Sequence, residues 1–116
     1  MNNILKKICE DKKLEIEILK NKCSLNSLKK LLSDKIIKRD FKSDIVNSSI
    51  ERKNFIIGEI KKSSPSAGEI INSYEPVEIA KIYERAGVKA ISILTEKNYF
   101  KGDIDHLSFI KQNTNI

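Results

Sequence analysis

The chain has 116 residues, 40% of them hydrophobic and 33% charged, with a net charge of +6. That composition is globular, not the low-hydrophobicity signature of disorder, and no apolar run approaches the roughly 18 residues of a membrane span. Residues 1–7 lack the long apolar core of a secretory signal, so the chain reads as cytoplasmic, without a membrane partner.

The charge is unevenly placed. Residues 1–53 hold 14 Lys/Arg against 8 Asp/Glu, and residues 54–116 hold 8 of each. A basic arm can bind nucleic acid. Here the lysines alternate with acids along helical patterns and are not interleaved with aromatics for base stacking. A solvated helical surface is expected, with no nucleic-acid partner. Cys9 and Cys23 form no CxxC pair and have no His neighbours. Reduced thiols are expected, and no metal site or disulfide framework.

Residues 3–21 place Ile4, Leu5, Ile8, Leu14, Ile18 and Leu19 at mostly helical spacing. Ser24 is a good N-cap for a second helix over 25–33, whose stripe is Leu25, Leu28, Leu31 and Leu32. A short third helix is expected over 40–45, then a polar linker over 47–54. Residues 54–60 read as a strand. Its run Phe55, Ile56, Ile57, Ile60 is apolar on both faces, as in a central parallel strand. A long loop follows over 61–75. Pro76 suits the first turn of the next helix, and Gly87 suits its end. A second strand is expected over 88–94, a second loop over 95–102, and a helix from 104 to 112 that Asp103 could cap.

A strand, a helix and a strand in that order imply parallel pairing with a right-handed crossover. Two such strands leave open edges and uncovered apolar faces. The series therefore reads as the front of a longer α/β chain.

Glu59 is the anomaly in the first strand. A carboxylate in an apolar run must be paired, hydrogen-bonded or at a wet end. Residues two apart on a strand share a face, so Glu59 and Lys61 project together at the strand's C-terminal end. That is where α/β proteins present catalytic groups. From the residues alone, a structural ion pair and an acid–base pair both remain open. His106, the single histidine, is expected on an exposed helix surface. Ser64 and Ser66 flank Pro65 and could form a turn.

The stretch Glu59-Ile60-Lys61-Lys62-Ser63-Ser64-Pro65-Ser66-Ala67-Gly68 resembles the signature of the indole-3-glycerol phosphate synthase family. The run from Tyr74 to Gly87 resembles that family's first barrel helix. Ala90 to Glu96, with Tyr99-Phe100-Lys101-Gly102, resembles its second strand and loop. The resemblance implies a (β/α)8 TIM barrel preceded by a helical extension. Residues 1–53 would be the extension, and 54–116 the first two βα units. It implies a lyase of tryptophan biosynthesis that closes a ring while losing carbon dioxide and water. Neither a metal nor an organic cofactor is implied. The substrate is a phosphorylated anion. Lys61 is the implied catalytic lysine and Glu59 its carboxylate partner. Ser64 is implied to contact the phosphate, and Phe100 the substrate's aromatic or sugar part. The family's main acid, main base and phosphate cradle fall on later strands. The chain is therefore expected to be an N-terminal fragment, inactive alone and partnered by the missing part of the barrel. The alternative is a non-catalytic interaction module that needs a complementing chain.

Overall fold

The computed structural model describes residues 3–32 and 39–116. They fall into two compact units, one within residues 3–32 and the other spanning 39–116.

The first unit holds α1 (Ile4–Lys22) and α2 (Leu25–Leu31). The side chain of Asn3 accepts the Lys6 N–H at 3.3 Å, and Ser24 accepts the Ser27 N–H at 3.1 Å. Each cap thus satisfies an orphan donor of the first turn. Lys20 and Lys22 sit where the helix dipole favours cations. Exposed pairs such as Lys20–Glu17 at 2.7 Å decorate α1. Neither helix contains a buried residue. Residue 33, where the second helix was expected to end, lies outside the described residues.

The second unit begins with α3 (Phe41–Ile50). Asp40 caps it, accepting both the Ser43 N–H at 3.0 Å and the Ser43 hydroxyl at 2.7 Å. These bonds hold the Asp40 carboxyl below its usual range. The helix runs five residues beyond the expected end at 45. Asn47-Ser48-Ser49 is helical, not a linker, because Ser48 is buried and tertiary packing overrides weak local propensity. Arg52, at φ 54°, ends the segment.

β1 (Ile57–Ile60) and β4 (Ala90–Ile93) pair in parallel, with Glu59 opposite Ser92 and Ile60 opposite Ile93. Between them lies α4 (Pro76–Arg85), with Gly87 at φ 82° just beyond its end. The parallel strand–helix–strand unit is thus present. Ile60, Ala80 and Ile110 form the buried centre, with Tyr74, Val77, Ile79, Tyr83, Ile91 and Ile93 packed on it. The expectation of two covered faces is corrected. Gly58 and Ile60 face α4, but Ile57 on the opposite face is 53% exposed. Among the described residues this sheet has two strands, and one layer of helices covers it.

Residues 61–75 are not a plain loop. β2 (Ser63–Ser64) and β3 (Gly68–Glu69) form an antiparallel hairpin. The Ser63 hydroxyl donates to the Gly68 carbonyl at 2.9 Å, and the Ile70 N–H donates to the Lys62 carbonyl at 2.9 Å. These bonds occupy the backbone groups that a free loop would leave to water.

α5 (Asp105–Asn113) packs against α4. Asp103 accepts the Asp105 N–H at 3.0 Å, although the residue directly before the helix is Ile104. The far end of α5 is fastened from a distance. The Arg39 guanidinium donates to the carbonyls of Lys111 at 2.9 Å, Thr114 at 2.7 Å and Ile116 at 2.5 Å. A cation on carbonyls at a helix C-terminus is favoured by charge and by hydrogen bonding. Arg39→Ala is expected to cost residues 111–116 roughly tenfold in amide-exchange protection, while β1 and β4 keep theirs.

Candidate active site

Glu59 and Lys61 meet as the spacing predicts. The Lys61 ammonium lies 2.5 Å from the Glu59 carboxylate, with the side chains 31% and 48% exposed. Both belong to the face that no described helix covers, at the C-terminal end of β1. A buried ion pair would carry a large desolvation penalty. This one remains wet and open to a ligand.

The backbone beneath the pair is held by Tyr83. Its hydroxyl donates to the Glu59 carbonyl at 3.1 Å. The ring can approach the strand this closely because residue 58 is glycine: a Cβ there would sit 2.5 Å from the Tyr83 ring. No sequence motif announced this contact. It joins residues 24 apart.

Lys62 turns to the other side. Its ammonium lies 5.9 Å from the centre of the Tyr74 ring, a cation–π arrangement. The alternation of a strand thus explains why one of two adjacent lysines reaches Glu59. The Tyr74 ring also lies 5.6 Å from the His106 ring. The expectation for His106 is therefore corrected. Its Nδ1 is buried against Tyr74, not displayed on an open helix surface. Burial pushes the Tyr74 phenol above its ordinary range.

Ser64 lies in the hairpin. Its Oγ accepts the Ala67 N–H at 3.1 Å and is 3.4 Å from the Ser66 hydroxyl. A hydroxyl that accepts from backbone still has its own hydrogen to donate. Pro65, Ser66 and Ala67 form the turn.

The second loop leaves the same end of the sheet, since β1 and β4 are parallel and the Leu94 N–H continues the pairing to the Ile60 carbonyl at 3.2 Å. Phe100, half-buried, sits in its turn. Glu96, to which sequence reasoning assigned no role, accepts the N–H groups of Asn98, Tyr99 and Phe100. Gly102 is buried beside the strand end, where a Cβ would fall 2.0 Å from the Leu94 carbonyl oxygen. The Asp105 N–H and the Lys97 ammonium hold the Asp103 carboxyl below its usual range.

Among the described residues, no group of three or more His, Cys, Asp or Glu side chains could hold a metal ion. Cys9 and Cys23 are free thiols. No described helix is long and apolar enough to cross a membrane.

Comparison with known proteins agrees with the motifs. The family model described as indole-3-glycerol phosphate synthase matches residues 5–116. An indole-3-glycerol phosphate synthase of Clostridium acetobutylicum is 43% identical over 110 residues, covering 94% of this chain and 40% of that protein. One from Campylobacter fetus subsp. fetus is 40% identical over 114 residues, covering 97% and 42%. One from Campylobacter curvus is 47% identical over 78 residues, covering 67% and 30%. The chain spans about two-fifths of the length of the first two of these relatives. With its motifs in order and the family model matched across nearly its whole length, the chain belongs to the indole-3-glycerol phosphate synthase family.

Proposed function

We propose that this chain supplies one wall of an indole-3-glycerol phosphate synthase active site. In this reading its strand–helix–strand unit is the start of a (β/α)8 barrel, preceded by residues 1–53 as a helical extension. The reaction is a lyase step of tryptophan biosynthesis, in the cytoplasm. Carboxyphenylamino-deoxyribulose phosphate closes to indole-glycerol phosphate with loss of carbon dioxide and water. The observation that carries this reading is the Glu59–Lys61 pair, 2.5 Å apart and open to solvent at a strand's C-terminal end.

The chemistry suits the groups. Ring closure polarises a ketone, and dehydration expels a hydroxyl. The Lys61 ammonium can neutralise the substrate carboxylate or donate a proton to the departing oxygen. Glu59 orients that ammonium. The Ser64 hydroxyl donates to a phosphate oxygen, and the Phe100 ring packs on the aromatic or sugar part. No metal or organic cofactor is assigned to these steps.

The uncovered sheet face bears on how the chain works. Ile57 on that face is 53% exposed, an apolar surface that further strands would cover. The 116 residues by themselves are therefore proposed not to complete the reaction. The test is to assay purified 1–116 with the substrate, alone and mixed with the remaining length of the Clostridium relative. No turnover alone and turnover on mixing is the expected result. Turnover alone, well above a Lys61→Ala control, contradicts the claim of inactivity. Failure on mixing, with both pieces folded and associated, contradicts the functional reading.

A further inference from the structure

We propose that Glu96 is the positioning residue for Phe100, an inference that rests on reading Phe100 as a substrate contact. One oxygen of the Glu96 carboxylate accepts the Asn98 N–H at 3.0 Å. The other accepts the Tyr99 N–H at 2.6 Å and the Phe100 N–H at 3.2 Å. The backbone carbonyl of the same residue accepts the Gly102 N–H at 2.7 Å. Between 96 and 102 the chain thus winds around a side chain of its own.

Successive N–H groups converging on one point make an anion-binding concavity. Here the anion is internal. Residues 97–102 belong to no helix or strand, so the carboxylate does the work that a ladder does elsewhere. Charge-assisted bonds are about twice as strong as neutral ones. Lys101, at φ 52°, is a non-glycine residue in the left-handed region. Such a conformation persists where its surroundings over-determine it, and the bonds on either side of Lys101 do so. Because the Phe100 N–H is itself one of the donors, the Glu96 carboxylate fixes the backbone from which the Phe100 Cα–Cβ bond leaves. Glu96 thereby acts through Phe100 and not on the substrate.

Amide hydrogen exchange and ring NMR on the 116-residue chain test this. Glu96→Gln keeps the shape but replaces two accepting oxygens by one. The amides of 98–100 are expected to lose roughly tenfold or more of their protection, and the Phe100 ring signals to move. The amides of β1 and β4 should keep their protection. Glu96→Asp, which retains the charge, should recover part of the loss, and Phe100→Leu should leave the 98–100 amides protected. Unchanged protection at 98–100 with an unmoved Phe100 ring in Glu96→Gln overturns the proposal. If Glu96→Gln does not fold, Glu96→Asp carries the same comparison: partial loss confined to 98–100 supports the proposal, and no loss overturns it. Titration with 2-aminobenzoate, the aromatic part of the proposed substrate, on the chain joined to the remaining length of the Clostridium relative separates the two claims. Shifts at Phe100 that need roughly tenfold more probe in Glu96→Gln support both. A Glu96-dependent Phe100 that ignores the probe supports the positioning role and contradicts Phe100 as a substrate contact.

Discussion

Gly102→Ala is expected to dislodge the second loop and to cost about 3 kcal/mol of stability, the upper range for forcing extra volume into a packed site. The added Cβ would lie 2.0 Å from the Leu94 carbonyl oxygen, 2.6 Å from the Leu94 carbonyl carbon and 3.0 Å from that of Thr95. These are backbone atoms at the end of β4, so no side chain can swing aside. The loop must lift instead, and the 2.7 Å bond from the Gly102 N–H to the Glu96 carbonyl is lost with it. A urea melt reads the cost, and exchange at residues 98–100 reads the displacement. Gly68→Ala is the control. That glycine has φ 68°, but a Cβ added there would meet nothing within 4 Å, so the substitution carries only the left-handed backbone penalty of about 1–2 kcal/mol.

Lys61→Ala is expected to lower turnover by roughly 10²- to 10⁴-fold, the range for removing a positioned proton donor. The measurement requires the chain to be completed by the remaining length of a relative. Two features favour an effect on the chemical step over one on folding. Lys61 lies past the end of β1 on the uncovered face, and an exposed ion pair contributes little to stability. The thermal midpoint of Lys61→Ala should therefore stay near that of the unsubstituted chain. A large fall in that midpoint would make Lys61 a structural partner of Glu59. Lys62→Ala, which removes the neighbour directed at Tyr74, should leave turnover within a few-fold.

Much of this arrangement was legible in the chain, and what was not has physical causes. The Glu59–Lys61 pairing needs only strand alternation, so two residues and a period of two were enough. α4 announced itself through Pro76 at its start and Gly87 beyond its end. α3 was read short because Asn47-Ser48-Ser49 has linker composition, while its helicity depends on burial that only the folded chain supplies. The hairpin between 63 and 69 escaped because two-residue strands carry no periodicity. Tyr83 on Glu59, Arg39 on residues 111–116 and Tyr74 against His106 join distant parts of the sequence. Nothing local could have announced them. Glu96 is the instructive case, because its partners are two to four residues away. An acid shortly before an irregular turn is a visible signal, but the convergence of three N–H groups on it is a property of the loop's backbone.

If Glu59 and Lys61 form part of a working indole-3-glycerol phosphate synthase site, completing the chain should reveal it. Residues 1–116 can be joined to the remaining length of the Clostridium relative, and kcat measured for indole-glycerol phosphate formation. The joined protein is predicted to turn over, and its Lys61→Ala variant to fall by roughly 10²-fold or more at unchanged thermal midpoint. A folded Lys61→Ala variant that turns over as fast as the parent would contradict the assignment of the pair to the active site.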